Sequence, residues 1–486
     1  MQSEEQTMDL TNLKNLFKNS ADIKFQAYTF SQQKVHFITC DAMIDSHLLN
    51  EVIVQRIQQF FDNMSEKMKP SEEAILAQLH VPALKKVADL EEAISLVYSG
   101  NLLLFFEENQ LLFASNIAKK PNRNPEESRL EVLVKGPRDN FIEDISVNIA
   151  LIRKRLPTNS LCVEKLELGR RSKTTVAILY FDDIANKDIL NGIKNQLNKV
   201  DTDIIFSGDL LMERINKNAR IFPRTDNTGR PDFAIQSLVR GRFLIFVDGV
   251  SYAVITPVNL FLLLKTSEDN EYPIVFSSLE RLLRIGGILI GIMLPAFWLA
   301  LTTYHQNQLP LQLLATIVQA NTGLPIPTSL EMLLMLLMFE LFREAGLRLP
   351  SVLGGSISVV GGLIIGDAAI RAGVTSPAMI VIIAISTIAT FTLVNQSLVV
   401  AISILRIFFI LATAFLGLFG FFMALYLTLL YLSSIRTFGV PYMSLATDLS
   451  WATIQKSLLR LSPKNYTKRP NTLSSQDKTR TPEGKK

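Results

Sequence analysis

The chain changes in character near residue 280. After that point, residues 285–304 (IGGILIGIMLPAFWLALTTY) form an apolar run without a charged side chain, and similar runs cover residues 374–394 and 408–432. About twenty helical residues, at about 1.5 Å each, span a hydrocarbon core of roughly 30 Å. We therefore predict membrane-spanning helices after residue 280. Before it, no apolar run is long enough to span, and the pattern predicts a water-soluble region.

The soluble region contains an internal repeat. Residues 25–61 and 164–200 share one order of patterns, which is a strand, a polar turn, a second strand, an acidic residue and a helix. Residues 99–116 and 240–257 then each predict a hairpin of two strands. Both units therefore read hairpin, helix, helix, hairpin, and we infer two similar subdomains that arose by duplication.

The predicted fold class is an α/β cytosolic N-terminal region of two similar subdomains, followed by an all-α polytopic membrane domain. Residues 136–156 are expected to connect the two subdomains. The predicted boundaries are, in chain order, a flexible N-terminus at 1–20, the first subdomain at 21–125, the second at 126–280, the transmembrane helical domain at 281–445 and a basic, disordered cytosolic tail at 446–486.

The distribution of charge sets the expected orientation. The net charge is +4, and the chain opens with a polar, acidic stretch, so no cleaved secretory signal is expected. Arg281 and Arg284 precede the first span and the basic tail follows the last, and such residues stay on the cytoplasmic side. Both termini are therefore expected in the cytoplasm, with an even number of crossings. Four crossings follow if the Gly-rich segment after Pro350 is re-entrant. Six follow if it crosses and residues 397–432 fold into two helices.

The composition gives no sign of catalysis, a cofactor or nucleic-acid binding. Cys40 and Cys162 lie far apart, and the histidines form no spaced cluster, so neither a disulfide nor a metal site is expected. Asp182 and Asp183 follow a strand without a Gly-rich loop, and we interpret them as the start of a helix. The basic run at 153–155 is interpreted as a helix end that completes the helix dipole.

Charged residues are rare between residues 285 and 434. The carboxylate and basic side chains of this stretch are Glu331, Glu340, Arg343, Glu344, Arg348, Asp367, Arg371 and Arg406. Glu340, Glu344 and Arg348 follow one another at intervals of four and share one helical face. They either lie hydrated at the inner membrane boundary or lie between helices, where charge is kept for coupling or conduction. We take all of these charged residues as candidates for the ion pathway or its gating.

A second pattern in this half consists of small residues. Gly354, Ser358, Gly362 and Gly366 recur at every fourth position, directly before Asp367. Small residues in register allow another helix backbone to approach closely, or let a re-entrant segment line a pathway. We therefore predict that this face takes part in helix packing.

Several stretches resemble one known family. They are residues 136–156, 230–257, the proline-containing loop at 309–327, FELFREAGLRLP at 339–350, residues 356–373 and FGVPY at 438–442. Over about residues 130–445 the chain resembles the GerA family of spore germination proteins, and specifically the A subunits of nutrient germinant receptors.

That resemblance implies a multi-pass subunit of the spore inner membrane with both termini on the core side. It implies a transporter-like B subunit that takes the nutrient, a lipoprotein C subunit, self-association into a homo-oligomer and contact with membrane lipid. It further implies that the protein is not an enzyme, and that it transduces germinant binding into ion release by forming the ion pathway.

Two other functions are considered. A secondary transporter of ions or small solutes would need a repeated membrane half with a broken helix in each copy, whereas the repeat lies in the soluble half. A membrane-tethered enzyme would need a nucleophile with its base or a set of metal ligands, and the sequence offers neither.

Overall fold

The structure is a computed structural model of the chain. It describes residues 9–64, 70–119, 137, 139–215, 221–266, 268–348, 366–443, 450–462, 466 and 468–479. The chain divides into two compact units. The sheet unit comprises Met1–Lys217, Thr225–Pro257 and Thr467–Lys486, and the helical unit comprises Asn218–Arg224 and Val258–Tyr466.

The first subdomain of the sheet unit is a five-stranded antiparallel sheet with helices on both faces. Its strands are β1 Ile23–Phe30, β2 Gln33–Cys40, β3 Lys85–Lys86, β4 Asn101–Phe106 and β5 Leu111–Asn116, in the order β1-β2-β4-β5-β3. Its helices are α1 Leu10–Leu16, α2 Val54–Asp62, α3 Glu72–Gln78 and α4 Leu90–Tyr98. Strand β4 reads NLLLFF because both of its faces are buried, Leu104 toward one apolar cluster and Leu103 toward the other.

The second subdomain repeats the first. Its strands are β6 Leu161–Leu168, β7 Thr174–Phe181, β8 Asp226–Thr228, β9 Phe243–Val247 and β10 Ala253–Thr256, and their order β6-β7-β9-β10-β8 is that of the first sheet. Its helices are α5 Ile145–Arg155, α6 Lys187–Leu197, α7 Gly208–Ile215 and α8 Pro231–Val239. The prediction of two similar α/β subdomains is confirmed.

The two subdomains are joined where the first sheet begins. Ser20 forms a parallel bridge with Val163 in β6, and the Ala21 amide donates to the Val163 carbonyl at 2.9 Å. Just beyond, Asp22 receives two hydrogen bonds from Arg153 at the end of α5, at 2.8 and 3.0 Å. The Arg153 guanidinium also lies 4.1 Å from the centre of the Tyr98 ring, in α4. One buried arginine therefore contacts both subdomains.

The basic run at 153–155 lies in the last turn of α5, as its interpretation as a helix end requires. Arg153 has a further role that the sequence did not indicate, because its side chain is fully buried and paired with Asp22. One expectation is corrected. The N-terminus is not flexible over all of residues 1–20, because α1 is a helix whose Leu13 is buried, and Phe17 follows it into the same apolar cluster.

The helical unit consists mainly of apolar helices, some of them long. They are α9 Leu260–Leu263, α10 Ile274–Leu299, which continues as a π-helix over Ala300–Tyr304, α11 Leu311–Asn321, α12 Thr328–Arg348, α13 Pro377–Thr390, α14 Gln396–Ser434 and α15 Trp451–Leu458. The two-residue strands β11 Arg436–Thr437 and β12 Val440–Pro441 form a small hairpin. Within the described residues, Ile274–Tyr304 and Gln396–Ser434 are long and apolar enough to cross a membrane.

The other predicted span is shorter in the structure. Within residues 374–394, helix α13 has 14 residues and covers only about 21 Å at 1.5 Å per residue.

Helix α14 bends back on itself at Gly417, where φ is 61°. The rings of Phe409 and Phe421 lie 5.8 Å apart, although twelve residues of straight helix would separate them by about 18 Å. A side chain at Gly420 would also collide with the Ala412 carbonyl. Residues 397–432 thus fold into two helical segments, as the six-crossing alternative requires.

The tail also differs from its predicted disorder. Helix α15 lies within residues 446–486, and residues 468–479 are hydrogen-bonded to the second subdomain.

We predict that Arg153→Met lowers the free energy of unfolding of the sheet unit by about 3–5 kcal/mol, because it leaves the Asp22 carboxylate buried without its cation. Arg170→Met is the matched control, since the Arg170–Asp201 pair is exposed and should contribute at most about 1 kcal/mol. The measurement is hydrogen exchange of the β1 and β6 amides during denaturant titration of the full-length protein in detergent. Equal losses in both variants would contradict the prediction.

Candidate functional site

The candidate site starts from a proline inside helix α10. Pro295 has no N–H, so the carbonyl of Gly291, four residues earlier, lacks its usual helical donor. The hydroxyl of Ser386, in α13, donates to that carbonyl at 2.9 Å. This contact needs a glycine, because an added Cβ at position 291 would come within 2.8 Å of Thr390. The missing hydrogen bond and the small residue together bring α13 against α10.

Arg406 extends the contact to two further helices. Its Nη1 donates to the Ser386 oxygen at 3.0 Å, and its Nη2 donates to Glu340 in α12. The other oxygen of Glu340 pairs with Arg343 at 2.6 Å, and Arg343 donates to Ser403 in α14 at 2.9 Å. The result is a continuous chain of polar contacts, here called the polar relay. Its members are Gly291, Ser386, Arg406, Glu340, Arg343 and Ser403.

The polar relay lies within the apolar part of the helical unit. Gly291 and Pro295 both fall inside the uncharged run 285–304 of α10, away from either end. The Arg406 side chain is 1% exposed, and those of Glu340 and Arg343 are about one-fifth exposed. Isolated charge at such a position costs at least several kcal/mol, so the three side chains depend on each other.

The charges of the polar relay do not balance. Two guanidinium groups share the single carboxylate of Glu340. The Nε of Arg406 is buried and has no hydrogen-bond partner within the described residues. Removal of Glu340 would therefore leave two cations facing each other, whereas removal of either arginine would leave an ion pair.

Glu331 has a different surrounding. Its side chain is buried, and one carboxylate oxygen accepts from the Ser376 amide at 2.7 Å and from the Thr375 hydroxyl at 2.8 Å. Ser376 is the N-cap of α13, so a negative charge here is stabilised by the positive end of the helix dipole. The geometry is that of a helix cap supplied from a neighbouring helix.

The remaining sequence candidates are not brought to the polar relay. Asp367 and Arg371 form an exposed pair at 2.8 Å on a helical segment at 366–371, and Glu344 is exposed. The side chain of Arg348 lies outside the described residues, as do Gly354, Ser358 and Gly362. Gly366 is described, and an added Cβ there would meet Ile380 at an ordinary 3.8 Å.

Helices α10 and α13 approach closely at two glycines that the sequence interpretation missed. An added Cβ at Gly287 would lie 2.5 Å from the Ala389 carbonyl oxygen, and one at Gly291 would lie 2.8 Å from the Thr390 methyl group. The available signal was the spacing of Gly287 and Gly291, which are four residues apart in a predicted membrane helix.

A second buried ion cluster lies at the start of α10. Arg281 and Arg284 bind the two carboxylate oxygens of Asp269 at 2.7 and 2.8 Å, and Arg281 also donates to the Leu459 carbonyl. Burial alone would raise the pKa of Asp269, but the two guanidinium groups more than offset this effect and lower that pKa below its usual value. The sequence had identified these arginines only as topology signals.

Several known proteins that resemble the chain are spore germination proteins. The sequence model of the Bacillus/Clostridium GerA spore germination protein family matches residues 11–472. Spore germination protein XA of Bacillus anthracis is 39% identical over 445 residues, which cover 91% of this chain and 90% of that protein. Spore germination protein KA of Bacillus subtilis (strain 168) is 30% identical over 466 residues, which cover 95% and 85%.

One solved structure is similar to the first half of the chain. It is the N-terminal domain of the A subunit of the Bacillus megaterium spore germinant receptor GerK3, with 21% identity and a TM-score of 0.40. The match covers 53% of this chain and 98% of that one.

We predict that Gly287→Ala destabilises the helical unit by about 1–3 kcal/mol, because the new methyl group meets the backbone of α13. Gly286→Ala is the neighbouring control, since nothing lies within 4 Å of a Cβ there and the change should be neutral or stabilise the helix by up to about 1 kcal/mol. The measurement is the thermal unfolding midpoint of the full-length protein in detergent. Shifts of the same sign and size would rule out the close approach.

Proposed function

The chain belongs to the GerA family of spore germination proteins, and we propose that it is the A subunit of a nutrient germinant receptor in the spore inner membrane. Family membership confirms the resemblance found in the sequence. The apolar helices of the helical unit support membrane association. The proposal extends this to a multi-pass arrangement with both termini on the core side.

In the proposed assembly, several copies of the chain associate with each other and with two other kinds of subunit. A transporter-like B subunit takes the nutrient, and a lipoprotein C subunit completes the receptor. This chain then converts the binding event into release of monovalent cations, either along a path that it lines or by gating one. Enzymatic activity is not part of the proposal, and the relatives named above are described as spore germination proteins.

The observation that carries the gating role is the polar relay. It connects α10, α12, α13 and α14 through charged side chains in an apolar setting. Loss of one partner from a buried ion pair costs about 3–5 kcal/mol, which changes an equilibrium between two helix arrangements by more than a hundredfold. We propose that the pairing of Glu340 with Arg406 and Arg343 stabilises the resting state. Nutrient binding then favours an arrangement in which this pairing is broken.

The other charged candidates have secondary roles in this proposal. Glu331 holds the start of α13, and therefore the position of Ser386 in the polar relay. The carboxylates of Glu344 and Asp367 are exposed, and we propose that they attract cations near the pathway entrance, whereas the positive charges of Arg371 and Arg348 limit this attraction.

A secondary transporter of ions or small solutes is the alternative. Such a transporter would exchange labelled solute across the membrane of sealed vesicles without net cation flow. A receptor subunit would not catalyse this exchange. The duplication seen within the described residues lies in the sheet unit, which favours the receptor role.

We predict that Glu340→Gln raises cation release without nutrient by about tenfold or more, because two guanidinium groups then repel each other in the resting state. Arg406→Gln keeps the Glu340–Arg343 ion pair and removes one of the two cations that hold Glu340, so it should raise release by a smaller factor. The double variant removes the repulsion between the two guanidinium groups but leaves Arg343 without its carboxylate, so release should fall below that of Glu340→Gln and stay above that of the parent. Released potassium and sodium are measured from spores that lack other family members, before and after addition of a rich nutrient broth.

Asp201→Asn is the control for charge loss at an exposed pair, and release should change by less than about twofold because such pairs contribute little. All rates are normalised to the amount of subunit in the spore membrane. If the single and double variants release cations at the parental rate, the polar relay has only a structural role.

A further inference from the structure

The outer surface of helix α10 is apolar from its first turn. Between residues 274 and 290 every exposed side chain is apolar, and Val275 is the most exposed of them at 82%. The charged side chains of the same stretch are covered by the protein, since Arg281 and Arg284 are buried and Glu280 is partly buried. A helix that lies in water has the opposite distribution, with its charges outside. The apolar outer surface of the span thus begins at residue 274, before the uncharged run 285–304.

The length of this helix agrees with a longer path through the bilayer. Residues 274–304 form a continuous helical stretch of 31 residues, which extends about 45 Å at about 1.5 Å per residue. A hydrocarbon core is about 30 Å thick, and the two headgroup regions bring the bilayer to about 40–45 Å. The helix is therefore long enough to cross the hydrocarbon and to place its first turns among the headgroups.

The residues that follow helix α15 are fastened to these first turns. Arg281 donates to the Leu459 carbonyl at 2.9 Å, and the Arg460 amide donates to the Ser278 hydroxyl oxygen at 3.1 Å. The Arg460 guanidinium also donates to the Tyr272 carbonyl, just before α10. These bonds come directly after the end of α15, so they hold that helix beside the start of α10.

Helix α15 carries an apolar face of its own. Trp451, Ile454 and Leu458 recur at intervals of three and four and share one side of the helix. Trp451 is 72% exposed. Tryptophan concentrates at the boundary of a membrane, where its ring lies among apolar chains and its N–H reaches polar groups. The exposed indole is therefore typical of a helix that lies in the membrane interface.

The charge of this region suits the surface of an anionic bilayer. Residues 451–466 contain no acidic residue and three basic ones, which are Lys456, Arg460 and Lys464. Basic segments close to a span are attracted by anionic lipid headgroups. Such a bilayer presents negative headgroups directly above apolar chains, and its apolar layer is continuous with the one that α10 crosses. Lipid therefore matches both the charge and the apolar face.

We propose that residues 274–284 and 451–460 form an interfacial anchor, in which Trp451 lies at the boundary between the lipid headgroups and the acyl chains. The partner of this surface is the phospholipid bilayer. The anchor rests on membrane association alone and does not depend on the receptor role. Interfacial aromatic and basic residues set the depth and tilt of a span, so the anchor fixes the depth at which α10 crosses the bilayer.

The depth of Trp451 is measured in the full-length protein, reconstituted into vesicles of phosphatidylcholine and phosphatidylglycerol. The chain has two tryptophans, so Trp298→Phe leaves Trp451 as the fluorescent one. Lipids brominated near the headgroup end of the acyl chain should quench it at least about twofold more than lipids brominated near the chain end. Acrylamide in the water should quench it at least about threefold less than it quenches free tryptophan, because the ring lies among lipid chains.

Each other outcome of this measurement contradicts the anchor. Quenching by acrylamide without quenching by either lipid would place α15 in water. Protection from all three quenchers would show that protein covers Trp451, and lipid would not be its partner. Stronger quenching by the bromine near the chain end would place α15 within the hydrocarbon instead of at its boundary.

The α10 side of the interfacial anchor is tested by the labelling of single introduced cysteines with a membrane-impermeant maleimide. Val275→Cys should react at least about fivefold more slowly than Gln196→Cys in vesicles, because lipid covers position 275. Gln196 is the matched control, since it is exposed in α6 and also precedes the first span. Cys40 and Cys162 are buried, and the parent chain gives their background. Equal labelling rates in vesicles would place the first turns of α10 in water and overturn the anchor.

Discussion

A helix in hydrocarbon has no water to bond to, so each polar group that it exposes must find a partner inside the protein. In the helical unit, the effect of this constraint begins at one residue, Pro295. Pro295 leaves a carbonyl without a donor, Ser386 supplies one, and Ser386 in turn accepts from Arg406. The guanidinium of Arg406 then requires Glu340. The missing N–H of Pro295 is thus the start of a series of polar contacts that joins four helices. In lipid, none of these polar groups could be left without a partner.

The sheet unit uses buried charge differently. Each of its two subdomains has a sheet of its own, and Arg153 with Asp22 and Tyr98 joins them beside the bridge between Ser20 and Val163. The Arg153–Asp22 pair lies in a region that water can reach when the sheet unit unfolds locally. Its role is therefore to fix how the two subdomains meet. The ions of the polar relay, in contrast, have no alternative partner in a bilayer. The same chemistry therefore joins two subdomains in one unit and, in the function proposed above, opposes rearrangement of the helices in the other.

The sequence allowed the subdomains to be predicted because side-chain alternation is local, and a strand repeat is visible wherever it occurs. Glu340 and Arg406 are 66 positions apart, and no local pattern connects them, so both were candidates without an assigned partner. The N-terminal helix was missed although Leu10, Leu13 and Phe17 have helical spacing, because the acidic start of the chain dominated the interpretation. The contact of residues 468–479 with the second subdomain could not be predicted, since it uses one leucine, one serine, one arginine and backbone groups in a segment of polar composition.

The bend at Gly417 bears on how such a chain enters a bilayer. Helix α14 turns back without a polar loop, and Phe415 and Phe419, on either side of the bend, are both largely exposed. A hairpin of this kind can partition into lipid tip first, because no charged or hydrated connection has to be carried through the hydrocarbon. Its two segments would enter together rather than in succession. Biogenesis of this part of the protein would then be a single insertion event, in which Arg406 must meet Glu340 and Ser386 as the hairpin enters, because an isolated charge is costly in lipid.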